Sequence, residues 1–167
     1  PYGMAIAGDG GIWVALNRMD KMARVDPDTG QMQEFDIPVE GAVPRKGGPD
    51  ADGNIWFGLH GAGKVLKIDI HNSNTMSVYT PPTENSGIYA VSVDLKHNLI
   101  WGTQQYSDMI ARVDLETETW TEFPLATAEE DHRRIEVDLN NPNRIWWSGN
   151  DSNRMGYIEV FDGLTER

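Results

Sequence analysis

Cysteine is missing altogether from these 167 residues. No disulfide framework and no thiolate nucleophile or metal ligand is available. That absence leaves the compartment open, because a well-packed domain can do without disulfides on either side of a membrane. Positive charge is scarce: 14 Lys and Arg stand against 26 Asp and Glu, a formal net charge of −12. The mean field repels phosphate, so neither nucleic acid nor an anionic membrane surface is an expected partner. No apolar run approaches the roughly 18 residues of a spanning helix, so no helical membrane insertion is expected. Histidine is sparse as well. His60, His71, His97 and His132 are all there is, and no two have zinc spacing. There is no nucleophile elbow, Walker loop or dinucleotide fingerprint. Asp50-Ala51-Asp52-Gly53-Asn54 opens like a calcium loop, but its twelfth position is Gly61, which offers no bidentate carboxylate. It reads as a hairpin turn. No Lys- or Arg-led apolar leader is present, and the first residue is Pro1. We therefore expect a processed or fragmentary chain, secreted or periplasmic, with a cytoplasmic location the alternative.

What the sequence does have is a repeat. An Ile stands directly before Trp13, Trp56, Trp101 and Trp146, which lie 43, 45 and 45 residues apart. Thirteen residues after each Trp comes an acid: Asp26, Asp69, Asp114 and Glu159. A fixed offset kept through four copies is the signature of a repeat architecture. With 39% apolar residues the chain is globular rather than disordered.

Each repeat reads as four short strands. In the first, Tyr2–Ala7 leads through the glycine-rich turn 8–11 to Ile12–Ala15. Lys21–Val25 follows, then a Pro/Gly turn and the alternating strand Gln31–Phe35. The repeats run over residues 1–38, 43–80, 87–124 and 131–162, the last one incomplete, within a single region 1–167. No helix of useful length is expected. Four-stranded units of this period with a Trp/Asp signature predict an all-β fold, a β-propeller of antiparallel blades. A lone blade cannot cover both its faces, so each Trp is expected to pack against the next blade. Four repeats favour the C-terminal part of a six- or seven-bladed ring over a small ring closed by itself or by a second copy. An open stack would leave edges and apolar faces that associate.

Two sets of positions stand out for binding. The inner strand of each repeat places Tyr2, Arg45, Tyr89 and Arg133 in one slot, followed by Gly3, Lys46, Ala90 and Arg134. Inner strands line a propeller's channel, so these residues predict a positive mouth for a small anionic or carbonyl-bearing ligand. The arginines would donate in pairs, and the tyrosines would wall the site. The loops after each second strand add His60, Gln104, Tyr106 and Asn150. His132 begins an inner strand and is the candidate titrating group, including for catalysis. The bland alternatives are cations neutralising acids of adjoining blades, ordinary polar loops and a structural histidine.

The phrases Pro1-Tyr2-Gly3-Met4-Ala5, Gly11-Ile12-Trp13-Val14, residues 21–30 and Glu34-Phe35-Asp36-Ile37-Pro38 resemble the repeat of the virginiamycin B lyase (streptogramin B lyase) family. The resemblance runs through all four repeats. It implies a seven-bladed ring. It also implies, for the family's lyases, opening of a cyclic depsipeptide by elimination at an ester bond. Such lyases use a general-base His eleven residues before a repeat Trp. Their Mg²⁺ is held by acids, one of them a Glu three residues after a repeat Trp. Here the first slot holds Tyr2 and Arg45 and, allowing one extra turn residue in the third repeat and two in the fourth, Tyr89 and Arg133, with His132 one residue off. The second holds Leu16, Leu59, Gln104 and Gly149. Neither contains the residue the chemistry needs. The expectation is therefore a binding or protein-interaction scaffold with no evident cofactor. The alternative is a Mg-dependent carbon–oxygen lyase acting on a depsipeptide or lactone, with catalytic residues partly outside this chain.

Overall fold

The computed structural model describes residues 1–127 and 131–164. Blade 1 contains β1 (Met4–Ile6), β2 (Ile12–Leu16), β3 (Lys21–Val25) and β4 (Met32–Asp36). Blade 2 contains β5 (Pro44–Pro49), β6 (Ile55–Leu59), β7 (Lys64–Asp69) and β8 (Thr75–Tyr79). Blade 3 contains β9 (Ile88–Asp94), β10 (Leu99–Gln104), β11 (Met109–Asp114) and β12 (Thr119–Pro124). Blade 4 contains β13 (His132–Val137), β14 (Arg144–Gly149) and β15 (Arg154–Glu159). Within each blade the strands pair antiparallel in chain order. Between blades, β5 and β9 run parallel and touch at Lys46 and Ala90. The inner strands thus stand side by side around an axis, and no helix occurs among the described residues.

The turns repeat because the same positions need a left-handed backbone. Seven residues after each Trp, Asp20, Gly63, Asp108 and Asn153 all have φ between 50° and 64°. These are the residue types that adopt positive φ most cheaply.

The indoles are the wedges between blades. Trp13 packs with Ile55, Phe57 and Leu59 of blade 2. Trp56 packs with Ile88, Val91 and Ile100 of blade 3. Trp101 packs with Ile135, Val137 and Ile145 of blade 4. These three are wholly buried. Trp146 is half-buried, since no described blade follows it. In blades 1 to 3 the outer strand lays an aromatic ring on the blade's own Trp: Phe35 on Trp13, Tyr79 on Trp56 and Phe123 on Trp101, at 5.1, 5.3 and 5.5 Å. Blade 4 has no fourth strand among the described residues. There Tyr157 of β15 takes the role, 5.0 Å from Trp146.

Candidate ligand-binding site

The inner strands do not alternate simply. Opposite β6 the register slips between Pro44 and Gly47, so Arg45 and Lys46 share one partner position. The same slip falls at Tyr89 and Ala90 in β9 and at Arg133 in β13. In blade 1, Tyr2 donates its N–H to the Ala15 carbonyl at 2.9 Å, and Gly3 accepts from the Ala15 N–H at 2.8 Å. Each inner strand thus carries a bulge or its equivalent two residues beyond the level of the Trp. A bulge bends the strand and re-aims the side chain it carries. That is why adjacent residues, Arg45 and Lys46, both reach the channel. Gly3 is required beside them: a Cβ there would sit 2.0 Å from the Arg45 carbonyl oxygen.

At this level the four inner-slot residues meet. The Arg45 guanidinium lies 4.8 Å from the Tyr2 ring and 5.1 Å from the Tyr89 ring. The Lys46 ammonium lies 5.9 and 5.7 Å from the same rings. Arg133 approaches Tyr89 at 5.7 Å. Tyr2 and Tyr89 are hydrogen-bonded through their hydroxyls. Burial raises the pKa of the Tyr2 hydroxyl, but the Tyr89 hydrogen bond and the charges of Lys46 and Arg45 outweigh it, leaving it below the ordinary value. Burial and the Tyr2 hydrogen bond both push Tyr89 up.

Above the tyrosines lies the loop layer. His60 is mostly buried and stacks edge-on against Tyr89 at 5.3 Å, with the tilted Tyr106 ring 5.1 Å away. His60 Nε2 bonds Gln105 Oε1, and Gln105 Nε2 donates to Asp131. The carboxylate fixes the Gln105 amide, so its oxygen faces His60, and neutral His60 carries its proton on Nε2. Burial lowers the His60 pKa. The Gln105 bond offsets part of this, and the charge of Arg45 adds to it. Asp131 also takes Arg133 at 2.6 Å and Asn150 Nδ2 at 3.2 Å. Burial raises the Asp131 pKa, but Arg133, Gln105 and Asn150 together bring it below the usual carboxylate range. Gln105, Tyr106, Asp131, Arg133 and Asp151 line an open depression of about 300 Å³ beside this network.

Most of the expected residues are thus neighbours: Tyr2, Arg45, Lys46, His60, Tyr89, Tyr106, Arg133 and Asn150. Three lie elsewhere. Gln104 is wholly buried and bonds Glu122 of β12 at 2.5 Å, because strand alternation turns it into its own blade. His132 is wholly buried, edge-on to Trp147 at 4.9 Å and 3.8 Å from the Asp108 carboxylate. That is a structural position, not a rim one. Arg134 points into a lower recess and pairs with Glu136 at 3.4 Å. Gln105 and Asp131 were missed by sequence reasoning. The signal for Gln105 is its place four residues after a repeat Trp, shared with His60 and Asn150. All three donate their backbone N–H to the carbonyl of a left-handed residue, Val43, Gly87 or Asp131, that opens an inner strand.

Residues 1–166 match the model of the virginiamycin B lyase family. The chain belongs to that family. A streptogramin B lyase structure superposes with a TM-score of 0.81 at 24% identity, over 96% of this chain and 54% of that one. The virginiamycin B lyase of Staphylococcus aureus gives 0.78 at 19%, over 96% and 56%. A chain of the mitotic checkpoint complex gives 0.74 at 15%, over 95% and 47%. This chain therefore spans about half the length of the lyases it superposes on, and at these identities the likeness is one of fold. No curated protein sequence matches it. The residues present do not suit the Mg²⁺ that the family's lyases imply. The positions three after each Trp are Leu16, Leu59, Gln104 and Gly149. Among the described residues no three His, Asp or Glu side chains gather to hold an ion.

Proposed function

We propose that this virginiamycin-B-lyase-family chain is a binding propeller rather than a lyase half-site. Its ligand is a small molecule bearing a carboxylate or carbonyl, taken at the channel mouth. The observation that carries this reading is the placement of Arg45. Its guanidinium is held between two tyrosine rings, and among the described residues no carboxylate forms an ion pair with it. In an acidic protein an unneutralised, partly desolvated guanidinium is a fixed donor fork for a planar oxygen pair. Arg133 is held by Asp131 and serves as the wall of the same mouth. His60, on its neutral Nε2–H tautomer, supports Tyr89 from above. A protein surface could occupy the same mouth by inserting an acidic side chain, which would use the same fork.

The test is ligand-observed NMR with N-acetylglycine, which carries both a carboxylate and an amide carbonyl. Saturable line broadening that disappears in Arg45→Ala/Arg133→Ala supports the reading. Equal broadening in the double variant overturns it.

A further inference from the structure

Below the mouth the channel has a second tier. Lys46, Gly47, Ala90, Val91, Arg134, Glu136 and their neighbours line a recess of about 210 Å³. That volume holds an oxoanion with several waters, given about 30 Å³ per water. Lys46 enters it from the bulge of β5, half-buried and next to Arg45 in the chain. Among the described residues no carboxylate lies within ion-pair distance of its ammonium. Arg134 enters from β13, and its pair with Glu136 is long and solvent-exposed. Burial lowers the pKa of Lys46, and the charges of Arg134, Arg133 and Arg45 lower it further, with Tyr2 opposing. Four cations, two of them paired with Asp131 and Glu136, therefore share one wall of a strongly acidic protein. Repulsion of that kind persists in a fold only at a cost, and an anion bridging the cations relieves it.

We propose that the channel holds a short dicarboxylate, one acid group on Arg45 at the mouth and the other on Lys46 and Arg134 in the recess. The inference rests on the mouth reading above and adds to it the second acid group and the residues that select it. Arg45 presents a planar fork, and Lys46 a point charge on a flexible stem. The pair suits a ligand whose first group is oriented and whose second is merely captured. Specificity over a monocarboxylate then comes from the lower tier alone.

The experiment titrates the intact chain with acetate, succinate and glutarate at matched ionic strength, following heat by calorimetry. The proposal predicts that a dicarboxylate binds at least tenfold more tightly than acetate. It also predicts that Lys46→Met costs the dicarboxylates far more affinity than it costs acetate, removing most of the difference between them. Arg134→Met should cost severalfold for the dicarboxylates only. Its side chain is largely exposed, so this variant keeps the test open if Lys46→Met does not fold. Acetate and succinate binding alike, both lost in Arg45→Ala, would overturn the two-tier proposal and leave the mouth reading standing. Failure of every carboxylate to bind would overturn both.

Discussion

Arg45 and Tyr2 face each other across the channel wall with the guanidinium carbon 4.8 Å from the ring centroid. Tyr89 holds the other side. A guanidinium so placed gains roughly 0.5–2 kcal/mol from each ring. Arg45→Met should therefore lower stability by about 1–2 kcal/mol, measured by urea unfolding, because the methionine keeps part of the packing between the rings. Its ligand affinity should fall by far more, about tenfold or greater. A proportionate loss of both would mean that Arg45 is only a strut.

His60 gives the channel a pH dependence of known sign. Its pKa is lowered in the fold, chiefly by burial and further by Arg45 and Arg133, with Gln105 and Asp131 opposing. The unfolded chain therefore takes the proton more readily than the folded one. The stabilising term is fully present above the unfolded value of about 6.5 and shrinks as pH falls through the folded value. Thermal midpoints between pH 7.5 and 5 should fall more steeply for the native chain than for His60→Gln. Parallel curves would show that His60 titrates as it does in water.

Trp101 and Trp146 occupy the same place in consecutive blades but not the same environment. Trp101 is wholly buried against blade 4, and Trp146 is half-buried. Trp101→Ala should cost about 3–5 kcal/mol, and Trp146→Ala markedly less, in chemical denaturation. Equal costs would mean that Trp146 is covered in solution by another surface.

Val43 is a β-branched residue at φ 46°, directly before Pro44. A left-handed backbone costs an ordinary residue about 1–2 kcal/mol. Here the Asp20 carboxylate holds the link by accepting the N–H groups of Gly41 at 2.9 Å and Val43 at 3.0 Å. Val43→Asn should raise stability by about 0.5–1 kcal/mol, since Asn tolerates this conformation. Asp20→Ala should lower it by about 1–3 kcal/mol, because the Gly41 and Val43 N–H groups lose their acceptor. Differential scanning calorimetry reads both.

Metal independence is the fifth expectation to check at the bench. Adding Mg²⁺ or EDTA should leave the melting temperature unchanged, and a cyclic depsipeptide incubated with the chain and Mg²⁺ should stay closed by mass spectrometry. Ring opening by this chain alone would return the lyase reading.

The architecture was legible because its determinants are local and periodic. An Ile-Trp step, an acid thirteen residues later and turn residues at fixed offsets specify a blade without reference to anything distant. The packing of Trp13, Trp56 and Trp101 on the following blades follows from that period alone. The site was legible only in part, because bulges break the alternation on which side-chain direction is inferred. Counting back from the Trp finds Tyr2, Arg45, Tyr89 and Arg133. It cannot reveal that Arg134 turns to the lower recess, nor that Gln105 rather than Gln104 reaches the rim. His132 illustrates the converse. Its neighbour Arg133 takes the channel position, and the imidazole is left to pack on Trp147. The Gln105–Asp131 bond joins residues 26 apart through a contact between loops of adjacent blades, and no short-range pattern encodes it.

The central claim is that Arg45 is the ligand's anchor, and it can be read at a single nitrogen. In a ¹⁵N spectrum of the arginine Nε–H groups, titration with N-acetylglycine should shift the Arg45 resonance saturably. Arg112, buried away from the mouth and paired with Asp162 at 2.9 Å, should stay in place. A stationary Arg45 signal, or equal drift of every exposed arginine with ionic strength, would contradict the account.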